Sequence, residues 1–108
     1  MSETRLILVG DDDALDTLAE LARYLPVFEV MRVDELPERA LDGDDVVVIG
    51  VHEPRARDAL LREAMSRGAP RHVAFVEAPR DDEGRDSGAR GILVAAELVR
   101  VLFPESSG

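Results

Sequence analysis

Apolar residues along this chain fall into two patterns. Leu6–Val9 and Val46–Val51 are nearly unbroken apolar runs, whereas Leu15, Leu18, Leu21, Ala22 and Leu25 recur at helical spacing. An unbroken short run reads as a strand covered on both faces, and the spaced set reads as one face of a helix. Leu6–Val9, ended by Gly10, is therefore a buried first strand. Asp11–Asp13 then place acids where a helix N-terminus favours negative charge, and Pro26 stops that helix. Val27–Val33 is rich in β-branched residues but carries Glu29 and Arg32, which suits an edge strand. Leu36–Leu41 is at most a short helix, with Pro37 in its first turn and Gly43 as its stop.

Asp45–Val51 is the clearest strand of the chain. Glu53-Pro54 opens a helix with an inner stripe of Ala56, Leu60 and Ala64, Ala59 beside it, and Gly68 and Pro70 closing it. His72–Val76 is a fourth strand. Glu77–Arg90 is a polar connection containing Pro79, Gly84 and Gly88. Connections this long are uncommon in compact domains unless functional or disordered. Ile92, Ala95, Ala96, Val99 and Leu102 mark a final amphipathic helix that Pro104 ends.

Strands that are apolar on both faces need helices on both sides, which predicts a three-layer α/β domain with a parallel sheet. The simplest arrangement of four such strands is the order 2-1-3-4, a Rossmann-like or flavodoxin-like domain over residues 1–104 with a flexible tail at 105–108. In such sheets ligands bind beyond the carboxyl ends of the strands, where the order reverses. Gly10–Asp13 and Gly50–Glu53 should flank that crevice.

Composition narrows the picture. The 108 residues suit one domain, and the formal charge of −10 argues against a large nucleic-acid interface. All thirteen basic residues are arginine. There is no cysteine, which excludes disulfides, thiolate zinc sites and thiol catalysis. No run is long enough to span a membrane, and the start does not resemble a signal peptide, so a cytoplasmic protein is expected.

Three places could carry chemistry. At Gly10-Asp11-Asp12-Asp13 the carboxylates would repel a phosphate, which makes NAD an unexpected ligand. The turn reads either as helix capping or, through Asp11 and Asp12, as a magnesium site. His52, beside Glu53, could serve as a base or ligand at the crevice, whereas His72 lies at the other end of the sheet and reads as structural or exposed. Ser87-Gly88-Ala89-Arg90-Gly91 could form an anion site before the last helix, through Ser87 and Arg90. The ligand-binding candidates are thus Gly10, Asp11, Gly50, His52, Ser87 and Arg90. No residue is assigned a catalytic role, and binding is expected rather than turnover.

Two families resemble parts of the chain. Arg5–Gly10 with Ala14–Leu25 and Val27–Asp34 looks like the opening βαβ unit of the xanthine dehydrogenase accessory proteins, the XdhC/CoxF family. Val46–Glu53 with Ala59, Leu60 and Ala64 resembles that family's later strand, Thr-His turn and following helix, with His52 as the matching histidine. Gly88–Gly91 through Ala96–Val99 is similar to its closing segment. The resemblance implies a Rossmann-like accessory module for molybdenum hydroxylase maturation, here with Asp11–Asp13 replacing the glycine turn. Leu6–Asp13 and Val48–Pro54 also resemble response-regulator receiver domains, with Gly50 at the phosphoacceptor position. That resemblance implies a phosphorylation-independent pseudo-receiver used for protein contact. The expected partner is a protein or a nucleotide-like small molecule, and a homodimer is among the expected assemblies.

Overall fold

A computed structural model describes residues 4–25, 27–36, 44–51, 53–68, 72–76 and 87–103. Its strands are β1 (Arg5–Gly10), β2 (Glu29–Val33), β3 (Asp45–Gly50) and β4 (His72–Phe75). Its helices are α1 (Ala14–Leu21), extended by a 3-10 turn at Ala22–Tyr24, α2 (Pro54–Ser66) and α3 (Ser87–Leu102). The four strands form one parallel sheet in the order β2-β1-β3-β4. This is the α/β arrangement that the apolar runs predict.

Alternation along the central strands sorts their side chains to two faces. Leu6, Leu8, Val46 and Val48 pack with Leu15 and Leu18 of α1 and with Val94 and Leu98 of α3. Ile7, Val9, Val47 and Ile49 pack with Ala64 of α2 and with Leu36. Every one of these strand residues is fully buried. Each such aliphatic side chain contributes about 1.5–3 kcal/mol of burial before the entropy of ordering is subtracted. The inner strands cannot be exposed on either face, so both helical layers are obligatory.

The edge strands differ in kind. In β2, Glu29, Val30 and Arg32 are exposed, and Arg32 pairs with Asp16 of α1. The charges predicted to mark an edge do so. Helix α2 begins at the predicted Pro54, and its inner stripe holds, with Ala64 buried and Ala56 and Leu60 half-buried, while Ala59 is exposed.

Helix α3 departs from expectation twice. It begins at Ser87, so the residues read as the end of a polar loop form its first turn. Its phase is also different. The inward side is Gly91, Val94 and Leu98, with Ala95 and Leu102 partly buried, whereas Ile92 and Val99 are 56% and 41% exposed and Ala96 is exposed. The cause is that α3 is apolar around most of its circumference, so periodicity alone does not choose a face. Close packing chooses it: a Cβ on Gly91 would lie 2.8 Å from Thr17 Cβ and 2.9 Å from the Ala14 carbonyl oxygen, so the missing side chain lets α3 approach α1.

The predicted helix beyond Leu36, the residues 77–86 and the tail at 105–108 lie outside the described residues. No helix among the described residues is long and apolar enough to cross a membrane.

Candidate functional site

The rim where the strand order reverses is built by β1 and β3. Gly10 and Gly50 are register partners at the carboxyl ends of these strands, and the Asp12 amide donates to the Gly50 carbonyl oxygen at 3.3 Å. Gly10 has φ +125°, in a region that side chains disfavour, and a Cβ there would lie 2.4 Å from the Gly50 oxygen. The two turns expected to flank a crevice therefore lie side by side on one rim.

At this rim lies an ion pair whose carboxylate is buried and whose guanidinium is part-buried. Asp12 has a fully buried side chain, and Arg90 Nη1 donates to Asp12 Oδ1 at 2.9 Å and to Oδ2 at 2.7 Å. Asp12 Oδ1 also accepts from the Ala14 amide at 2.7 Å, which caps the first turn of α1. Asp12 thus joins the ends of β1 and β3 through its amide, and the starts of α1 and α3 through its carboxylate. Two of the sequence candidates, Asp12 for a cation and Arg90 for an anion, neutralise each other. Charges buried this way persist only when paired, because each alone has a large desolvation cost.

The other candidates separate. Asp11 is exposed and Gly50 is packed from within, since a Cβ there would lie 2.8 Å from the Leu15 side chain. Ser87 begins α3. His52 lies outside the described residues. His72 opens β4 at the far end of the sheet, partly exposed, and its Nε2 lies 2.9 Å from Glu97 Oε2. Among the described residues, no three histidine, aspartate or glutamate side chains gather as metal ligands. A separate open groove of about 510 Å³, lined by Glu35, Leu36, Leu60, Glu63 and Arg67, lies on the α2 side of the sheet.

Sequence reasoning named both members of the ion pair but not their union. They are 78 positions apart, and sign complementarity has no period to detect. The available signal was an acidic turn at one strand end and an arginine in the stretch before the last helix, and nothing in the sequence set the two opposite one another. No family model, curated protein or solved structure matches the chain.

Proposed function

We propose that this protein is a small Rossmann-like accessory module that works by binding another protein and does not hold a dinucleotide at its strand-order crevice. The observation that carries this reading is the Asp12–Arg90 pair. It occupies the place where a Rossmann-like domain receives a pyrophosphate, and it consumes the positive charge that such a ligand would need. The glycines of the rim serve internal packing. The exposed Asp11 and Asp13 beside it add repulsion toward any anion.

The setting we propose is maturation of a molybdenum hydroxylase, and it rests on the resemblance of Arg5–Asp34, Val46–Ala64 and Gly88–Val99 to the xanthine dehydrogenase accessory proteins. A pseudo-receiver is the second reading, favoured by the sheet order and by Gly50 at the acceptor position. Both readings work through protein contact.

The test is direct. The purified chain is titrated with ATP, NAD, FMN and a pterin, following thermal unfolding and amide chemical shifts. A ligand that binds the native state raises stability by mass action. No saturable change is expected at Gly10, Gly50 or Arg90. Saturable binding centred on those amides would overturn the proposal.

A further inference from the structure

The two edges of the sheet are built differently. At β2 the exposed Glu29 and Arg32 are charges of the kind that keep an edge from pairing. Strand β4 reads His-Val-Ala-Phe, without a carboxylate, an arginine or a proline, and among the described residues no strand pairs with its outer side. The Val76 amide donates to the Ile49 carbonyl oxygen at 3.0 Å, which sets the phase of the ladder. In a parallel pair alternate residues turn their backbone groups toward the same neighbour. His72, Ala74 and Val76 therefore address β3, while the N–H and C=O groups of Val73 and Phe75 point away from the sheet.

Both helical layers set an exposed apolar side chain beside this edge. On α2, Leu60, Glu63 and Arg67 line a groove with Leu36, whereas the Arg57 guanidinium lies 5.6 Å from the centre of the Phe75 ring. Leu61 and Met65 thus occupy the flank of α2 nearer β4, and Met65 is 55% exposed. On α3, Gly91 faces Thr17 of α1 and Glu97 reaches His72 of β4. Leu93 lies one turn before Glu97 on that same flank and is 70% exposed. The edge offers backbone donors and acceptors in the middle and apolar contact from the helix layer on either side.

We infer that an extended segment of a partner protein adds to the sheet as a fifth strand beside β4. The chemistry of the edge defines that segment. Outward amides and carbonyls take a strand, not a helix. Met65 on one side and Leu93 on the other take apolar side chains on both faces, over about four residues to match β4. The net charge of −10 favours lysine or arginine at the ends of the segment, and it opposes a second copy of this chain in the same place. The inference rests on the reading that the chain works by binding another protein, and gives that partner its docking edge.

The probe is the synthetic peptide Lys-Arg-Val-Leu-Val-Ile-Arg-Lys with blocked termini, added to the intact chain. The Val73 and Phe75 amides should become protected from hydrogen exchange, while Gly10 and Gly50 stay unchanged. A peptide N-methylated at every second amide in one phase should bind roughly tenfold more weakly than one methylated in the other phase, because a strand docks by one edge only. Exchanging its basic residues for glutamate should weaken binding by at least a similar factor at low salt. Met65→Gln and Leu93→Gln change exposed helix positions, leave the fold intact and should each weaken binding severalfold. No protection at Val73 and Phe75, equal affinity of the two methylated phases, undiminished binding of the glutamate peptide, or indifference to both glutamine variants each overturns the inference. Protection of Val73 and Phe75 that grows with concentration in the chain alone would make the occupant a second copy, and also overturns it. Failure of the accessory reading is seen elsewhere, as nucleotide-induced shifts at Gly10, Gly50 and Arg90, so the two failures are distinguishable.

Discussion

Helices α2 and α3 cover opposite faces of one sheet, and they are held in different ways. Helix α2 is fixed locally. Glu53 caps it by accepting from the Arg55 and Ala56 amides at 3.2 and 2.7 Å, Pro54 opens it, and its outer face is charged. Helix α3 is fixed by distant residues. Its first turn is tied to β1 and α1 through the Arg90–Asp12 pair, its inner side packs through Gly91 and Leu98, and its outer side is apolar. The difference teaches that a helix written by local rules can be read from sequence, whereas one written by tertiary contacts cannot. It also locates where this molecule has surface left to bury.

The comparison breaks most severely at Arg90. Truncation by Arg90→Ala leaves the Asp12 carboxylate buried without its guanidinium, and should cost about 3–5 kcal/mol in urea unfolding. The paired replacement Asp12→Leu with Arg90→Met should recover much of that loss, because an apolar pair has no desolvation to offset. A double variant no more stable than Arg90→Ala would mean that the Ala14 cap made by Asp12, and not the ion pair, sets the rim.

The same contrast explains what was legible in advance. The runs Leu6–Val9 and Val46–Ile49 have no polar position, so burial on both faces, a parallel sheet and the order β2-β1-β3-β4 followed from sequence. The Glu53-Pro54 start of α2 was equally plain, because capping is encoded within four residues. For α3 the residues Ile92 and Val99 looked like core because they are apolar, yet Gly91 decides the phase by what it lacks. At the site, topology placed Gly10 and Gly50 together correctly. The fate of Asp12 and Arg90 depended on a contact between the chain's two ends.

A second prediction sharpens the inner faces. Leu98 of α3 is fully buried among Leu6, Leu8, Val48 and Val94, whereas Leu60 of α2 is half-buried beside Leu36 and Ala64. Leu98→Ala should cost about 2–5 kcal/mol, the range for a buried leucine whose cavity collapses only partly. Leu60→Ala should cost less, since solvent already reaches the site and no closed cavity forms. The midpoints of chemical unfolding measure both. Equal losses would mean that the α2 layer is as tightly packed as the α1–α3 layer.

The smallest effect tests the local half of the comparison. Glu53 has extended backbone torsions, and its two carboxylate oxygens satisfy two amides that the first turn of α2 would otherwise leave without acceptors. Glu53→Ala removes both acceptors and the favourable charge at the helix N-terminus, and should cost about 1 kcal/mol. The urea midpoint should fall while the slope stays constant, because the surface exposed on unfolding does not change. Glu53→Ser restores one acceptor without the charge, so the gap between the serine variant and the native chain holds the second hydrogen bond and the dipole contribution, the latter about 0.3–1 kcal/mol at low salt. That gap should shrink as salt is added. A salt-independent gap would show that Glu53 acts through its hydrogen bonds alone.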